Sequence, residues 1–482
     1  MKPTFLFYDY ETFGTNLALD RPAQFAALRT DINFNPIGKP EIIYCCPPDD
    51  YLPQPEAVLI TGITPQLTHS CGVNEAEFAK CIHKIFSVPN TCIIGYNNIR
   101  FDDEISRYLF YRNFYDPYSW GWENKNSRWD LLDVTRACCA LRPDGIQWPK
   151  NNNGFPSFRL EHITKENHIF HDHAHDALSD VYATIALARL IKLKQPKLYN
   201  FFYTHRKKNQ LKKLIKIPNM QILLYISGIF GNAKYNTTFI TPLAWHPYNQ
   251  NALIVYDLEK DVTPFLTLNS HKINSNLHTN DQSINRDAFH LPLKLIYINK
   301  CPIIAPANVL RVADAQRIKL DMPHYFSNFT KLKINPEILE KSILFYKKKQ
   351  IFFYSENVDT QMYQSFFDNA SRHIIHIIRH TAIEKLKTLN LTAYDHRIEK
   401  LLFRFRARNF AESLNASEKQ DWLEYRRATF HPARIQAYIQ KINMLYDMYQ
   451  DNDAKKSLLK SLLNYTKEFI SLLNTNHTHS HP

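Results

Sequence analysis

The chain has 482 residues, 44% of them apolar and 13% aromatic, with a formal net charge of +13. That is ample for folded domains but too long for one ordinary core, so two to four domains are expected. Asp9 interrupts the one apolar run near the start, which argues against a signal peptide or membrane span, and the 8 cysteines lack zinc-like C-x2-C spacing, which suits reduced thiols in a cytoplasmic protein.

Charge is divided unevenly along the chain. Residues 1–190 carry 17 Lys/Arg against 23 Asp/Glu, a net of −6, and residues 191–482 carry 42 against 23, a net of +19. An acidic front joined to a strongly basic remainder suits a polyanionic partner, held by phosphate neutralisation and counterion release.

In chain order, Phe5, Leu6, Phe7 and Tyr8 lead into Asp9 and predict a buried strand that ends at Gly14-Thr15-Asn16. Residues two apart on a strand share a face, so Asp9 and Glu11 can aim at one point. A second apolar strand is predicted from Thr91 to Tyr96, broken by Asn97 and Asn98, with a helix beginning near Phe101. That puts Asp102 at a strand-to-helix junction, a usual place for functional groups in α/β folds. A helix over 176–191 follows, its apolar side supplied by Ala177, Leu178, Val181, Ile185, Ala188 and Leu190. His175 and Asp180 are five residues apart, about 140° of helical rotation. His175 is therefore expected on the lead-in loop and Asp180 on the helix. Pro196 predicts a linker over 194–197, and a basic amphipathic stretch runs from Tyr203 to Lys216. Short β-rich segments are then predicted at 223–227, 237–245, 252–258 and 293–304, and from about Asn357 the pattern is helical. Ser417 and Gln420 have capping-box spacing ahead of a helix. Leu458, Leu459, Leu462, Leu463, Phe469, Ile470 and Leu473 give the last helix an apolar face.

Carboxylates gathered in one pocket repel one another and resist ionisation. Such a cluster is sustained when divalent cations sit among the oxygens, and two metals so held, about 3.5–4 Å apart, are equipped to cut phosphodiesters. Oxygen-only ligands suit hard ions and argue against zinc. A lone D-x-E carries little information; the joint pattern of D-x-E, N-x3-F-D and H-x4-D carries much more.

These three segments resemble the motifs of the DEDDh 3′-to-5′ exonucleases. Over nearly the whole length the chain is similar to the bacterial exodeoxyribonuclease I family, through DRPAQFAALRTD (20–31), YLPQPEAVLITGITPQ (51–66), SRWDLLDVTRA (127–137), FPSFRLEHIT (155–164), INKCPIIAPANVLR (298–311) and RIEKLLFRFRARNF (397–410). The resemblance implies an α/β RNase H-like exonuclease domain over 1–193, a β-containing SH3-like domain over 197–350, an all-α C-terminal domain over 352–474 and a disordered tail over 475–482. It implies processive 3′-to-5′ digestion of single-stranded DNA with release of 5′-mononucleotides, in DNA repair, by a cytoplasmic monomer.

On that resemblance Asp9, Glu11, Asp102 and Asp180 hold two Mg²⁺ ions, for which Mn²⁺ can substitute, and His175 is the general base, histidine being the side chain that titrates near neutrality. Glu11 and Arg159 would touch the substrate end. Arg107, Tyr118, Trp122, Arg136, Lys208, Asn251, Lys294, Asn299, Tyr363 and Phe366 are the candidate DNA contacts, bases stacking on aromatic rings without regard to sequence. The acidic tail of single-stranded DNA-binding protein is the implied partner, with Arg142 and Arg311 as candidate docking residues. On the residues alone two other readings stay open, the same chemistry on RNA and a non-catalytic binder of single strands.

Overall fold

A computed structural model describes residues 2–172, 175–267, 292–347, 355–391 and 394–474. The tail expected over 475–482 lies outside the described residues. No helix among them is long and apolar enough to cross a membrane.

The first part is built on a five-stranded sheet ordered β3-β2-β1-β4-β5, with β1 Thr4–Thr12, β2 Pro22–Thr30, β3 Glu41–Tyr44, β4 Thr91–Gly95 and β5 Ser127–Asp130. β1, β2 and β3 pair antiparallel, whereas β4 and β5 run parallel to β1. Both faces are covered, so apolar residues alternate between two cores. Phe5, Phe7, Ala26, Leu28 and Ile94 join one core with the helices Leu131–Leu141, Ala177–Lys194 and Pro196–His205. Leu6, Tyr8, Tyr10, Phe25 and Ile93 join the other with the helices Glu75–Phe86 and Asp102–Arg112. We label Asp102–Arg112 α1, Leu160–Glu166 α2, Ala177–Lys194 α3 and His396–Asn409 α4.

The second part carries another five-stranded sheet, all antiparallel, in the order β10-β6-β7-β8-β9, with β6 Leu223–Ile226, β7 Thr237–Trp245, β8 Ala252–Asp257, β9 Leu293–Tyr297 and β10 Ile303–Pro306. The sequence pattern merges 293–304 into one segment. The chain instead turns at Cys301, which has φ +48°, and the two halves form opposite edges of the sheet. Nor is there a linker at 194–197. α3 ends at Lys194 and the next helix starts at Pro196, where proline's missing N–H costs nothing, so Gln195 alone separates them. The basic stretch beyond it buries Leu211 beneath the second sheet, with Leu214 and Ile215 packed alongside.

The last part is helical. The capping box there is Asn415 with Glu418, side chain and backbone satisfying each other reciprocally, and not Ser417 with Gln420. The register differs because Asn415 is the residue with extended backbone, and Glu418 also pairs with the buried Arg406. In the final helix Asp453–Asn474, Leu459, Leu462, Phe469 and Leu473 are buried.

The helical part is tied to the first sheet by a buried ionic network. Arg408 of α4 reaches Asp50 at 2.7 Å and Asp359 at 2.6 Å. Arg404 and Arg21 also reach Asp359, at 3.1 and 3.5 Å. Arg112, in the last turn of α1, grips Glu75 with two 3.0 Å bonds. Burial by itself would raise the Asp359 carboxyl, but Arg408, Arg21 and Arg404 outweigh it and hold that carboxyl well below the usual carboxylate range. Burial would likewise raise Glu75, but Arg112 and Arg21 overcome it and pull that carboxyl down to about 2. Both folded values lie below the unfolded ones, so this stabilisation is complete above the ordinary carboxylate range and is lost as pH falls toward about 2. Asp359→Ala leaves buried guanidinium groups uncompensated and is expected to cost about 3–5 kcal/mol, read as a lower urea midpoint at neutral pH, with the gap from wild type narrowing in acid.

Candidate active site

The odd-numbered positions of β1 face the core that α3 covers, so Asp9 and Glu11 continue the line of Phe5 and Phe7 toward that helix. Glu11 pairs in register with Gln24 of β2. The Gln24 amide pins the start of α3: its oxygen accepts the Ala177 N–H at 3.2 Å and its nitrogen donates to Asp176 at 3.4 Å and to Tyr44 at 3.1 Å. Asp176 is the N-cap of α3, accepting the Ser179 N–H at 3.0 Å. Asp180 therefore sits in the first turn, and His175 lies just ahead of the cap, exposed and with φ +68°. One ligand atom from each of Glu11, His175 and Asp180 lies within 4.8 Å of the others.

Asp102 enters from the other side. β4 pairs with β1 only as far as Phe7 with Ile94, which leaves the backbone of β1 beyond that point open. The Tyr10 N–H there donates to Asp102 Oδ1 at 3.1 Å. The turn between β4 and α1 is tight. Asn97 has φ +69°, and a Cβ on Gly95 would lie 2.8 Å from that of Asn98 and 3.0 Å from the Tyr8 carbonyl. Asp130 holds the turn by accepting the Asn97 N–H at 2.9 Å. The neighbouring Asp103 serves a different purpose, buried against Tyr8 Oη at 2.5 Å, Asn98 and Arg128.

Burial and mutual repulsion dominate the electrostatics. Burial, then the charges of Asp102, Glu11, Asp180 and Asp176, hold the Asp9 carboxyl well above its usual range. Burial, then Asp180, Asp102 and Asp176, push Glu11 up to about 9. Burial pushes Asp102 up to about 8, against the lowering effect of the Tyr10 N–H. Buried carboxylates with no cationic side chain among those causes are a donor set that divalent ions fit. A nitrogen donor, His175, also lies in reach of the oxygens, so side-chain chemistry leaves the site open to zinc as well as to harder ions.

His171 escaped the sequence reading. Its Nε2 lies 2.5 Å from Asp180 Oδ1 and its Nδ1 is 3.1 Å from Thr164 Oγ1 of α2. The run HDHAHD offers three histidines, and nothing in the spacing says which is buried.

The candidate DNA contacts fall into groups. Arg159 precedes α2 with 73% of its side chain exposed, and lines a groove of about 590 Å³ with Arg136, Lys150, Phe158, His162 and Asn232. Arg136 is held by Asp133 at 2.6 Å and lies over the Phe158 ring. Arg107, Tyr118, Tyr363 and Phe366 form a second group: Arg107 is 3.2 Å from Tyr363 Oη and lies over the Tyr118 ring, whose centroid is 6.4 Å from that of Tyr363 and 5.8 Å from that of Phe366. Arg107 itself is buried and paired with Glu104, which also accepts from Tyr363. Phe366 is 76% and Trp122 65% exposed. Lys208 donates to Asn251 at 2.8 Å, Lys294 is half-buried over Phe230, and the Asn299 carbonyl accepts from Arg128 at 2.9 Å. Arg142 and Arg311 meet on Asp314, at 3.8 and 2.5 Å.

Comparison with known proteins places this architecture. Three family models match in series: Exonuclease over residues 6–188, Exonuclease I SH3-like domain over 206–348 and Exonuclease I C-terminal domain over 356–469. Exodeoxyribonuclease I of Escherichia coli (strain K12) is 53% identical over 467 residues, covering 97% of this chain and 98% of that protein. The zinc ion bound form of the E. coli ExoI–ssDNA complex superposes with a TM-score of 0.92 at 52% identity, covering 97% of this chain and 100% of that one. An ExoI/SSB-Ct complex superposes with a TM-score of 0.91 at 52% identity and the same coverage. Sharing three successive domains with these proteins over almost its full length, the chain belongs to the exodeoxyribonuclease I family.

Proposed function

We propose that this enzyme degrades single-stranded DNA processively from its 3′ end and releases 5′-mononucleotides. Two divalent ions, Mg²⁺ or in its place Mn²⁺, would be held by Asp9, Glu11, Asp102 and Asp180. The observation that carries this reading is the convergence of Glu11, His175 and Asp180 within 4.8 Å, beside the half-buried Asp9 and the buried Asp102. When bound, the ions supply charge neutralisation at the scissile phosphate and a more acidic water.

The protein's own groups do the rest. His175, outside the helix and exposed, takes the proton of the attacking water as general base. Arg159 and Arg136 hold phosphates along their shared groove. Tyr118, Trp122, Tyr363 and Phe366 offer rings for base stacking, worth about 1–3 kcal/mol per base. Arg107 sets the Tyr118 and Tyr363 rings from beneath. Lys208, Asn251, Lys294 and Asn299 extend the track onto the second part. The ionic network joining the helical part to the first sheet favours enclosure of the strand, which is what processive digestion asks for. Arg142 and Arg311, already converging on one carboxylate, suit the acidic tail of single-stranded DNA-binding protein, as the ExoI/SSB-Ct complex of a relative suggests. The enzyme is read as a cytoplasmic monomer acting in DNA repair.

His175→Ala is expected to lower the single-turnover rate by about 10²–10⁴-fold while leaving oligonucleotide affinity in EDTA unchanged; an unaltered rate rejects the base assignment. End-labelled single-stranded DNA and RNA digested side by side, with Mg²⁺ and with EDTA, test substrate and cofactor together. Metal-dependent loss of 3′-terminal nucleotides from DNA is the expected result, and equal attack on RNA would reject the DNA preference.

The raised carboxyls also predict a pH effect. Their folded values, about 9 at Glu11 and about 8 at Asp102, exceed the unfolded ones. Metal-free stability is therefore greatest below the ordinary carboxylate range and falls as pH rises through 8 to 9. In EDTA at pH 9, Asp102→Asn is expected to melt about 1–3 °C above wild type, and saturating Mn²⁺ should reverse the order. Identical melting in EDTA at every pH would show that the charges do not repel.

A further inference from the structure

We infer that His171 is a positioning residue for the metal site, fixing the Asp180 carboxylate through a Thr164–His171–Asp180 relay. The inference rests on the reading of Asp180 as a metal ligand. His168 turns the chain after α2 with φ +52°, and the Ile169 N–H bonds back to the Thr164 carbonyl at 2.9 Å. That fold-back lays His171 over Thr164, and only 3% of its side chain remains exposed. Both ring nitrogens are engaged, Nδ1 with Thr164 Oγ1 at 3.1 Å and Nε2 with Asp180 Oδ1 at 2.5 Å. The Thr164 hydroxyl also lies 2.9 Å from the Leu160 carbonyl within α2, so its one proton is shared between that carbonyl and a neutral Nδ1.

An ionised carboxylate only accepts, so the proton in the His171–Asp180 bond is the one on Nε2. With Oδ1 held, the carboxylate cannot rotate about its χ2 freely, and its plane toward Glu11 and His175 is set before any ion arrives. Asp180 Oδ2 accepts no protein hydrogen bond among the described residues. Asp102 accepts the Tyr10 N–H, whereas Asp180 reaches the cluster from the first turn of a helix. His175 and His171, four residues apart, therefore divide the labour: the exposed one can exchange protons with water, and the buried one holds a ligand.

The test uses full-length protein and Mn²⁺ binding read by electron paramagnetic resonance without DNA. His171→Leu keeps the packing and removes the donor, and is expected to raise the Mn²⁺ Kd by about 10–100-fold. Oligonucleotide affinity in EDTA should not move, and kcat should recover as Mn²⁺ is raised with KM unchanged. His171→Gln, whose amide nitrogen has similar reach, is expected to stay within about threefold of wild type. Wild-type Mn²⁺ affinity in His171→Leu, or equal losses in the Leu and Gln variants, overturns the inference. Should His171→Leu fail to fold, Thr164→Val decides: a several-fold weaker Mn²⁺ affinity supports the relay and an unchanged one overturns it. Asp180→Asn separates the two levels. If it binds Mn²⁺ as wild type does, the ligand assignment itself falls; if it binds weakly while His171→Leu does not, only the relay falls.

Discussion

Like charges buried side by side are the constraint around which the first domain is organised. β1 carries Asp9 and Glu11 on the face that α3 covers, and α3 brings Asp180 to the same place. Their mutual charge makes Asp9 and Glu11 harder to ionise, and the fold must supply enough packing energy elsewhere to keep the group together. Phe5, Phe7, Leu28 and Ile94 lie just behind them on that face, packed against α3 and its neighbours. The helix is also pinned by Gln24 at the strand position opposite Glu11. The site is thus held by neutral contacts around a charged centre, which leaves the charge itself available to a cation.

Two buried acids elsewhere in the molecule are treated in the opposite way. Asp359 and Glu75 are surrounded by arginines and kept ionised, joining the helical part to the first sheet. The contrast is sharpest between Asp102 and Asp103, adjacent residues in the first turn of α1. Asp103 is matched by Arg128 and two hydrogen-bond donors, whereas Asp102 receives backbone N–H groups and faces other acids. Burial is common to all four; what separates them is whether a cationic side chain lies in reach.

The candidate DNA contacts are spread over composite surfaces. Arg107 and Tyr118 from the first part meet Tyr363 and Phe366 from the segment leading into the third, and Lys208 meets Asn251 within the second. No short motif encodes such a group, because each member is useful only once distant segments have packed. The ionic network on Asp359 has the same dependence, bringing Arg21 from near the start of the chain to Arg404 and Arg408 on one face of α4.

Local rules were enough to read the strand carrying Asp9 and Glu11, the junction carrying Asp102, and His175 ahead of the helix of Asp180, because periodicities of 2 and 3.6 residues decide which side chains share a face. Compositional bias was enough to separate an acidic front from a basic remainder. Local rules failed where two candidates compete and tertiary context chooses: Asn415 over Ser417 as a cap, a break at Cys301 instead of one long strand, a single residue instead of a linker at Gln195. Arg107 reads as a DNA contact, and nothing in the spacing shows that it is buried with Glu104, three residues earlier on the same helix. His171 was invisible for a similar reason, since its partners Thr164 and Asp180 become neighbours only when the loop after α2 folds back. The amino-acid sequence by itself determined which chemistry is present and in what order, through side-chain type and spacing; the tertiary structure alone decided which of those groups are buried, paired or left facing one another, because burial and distance are properties of the packed chain.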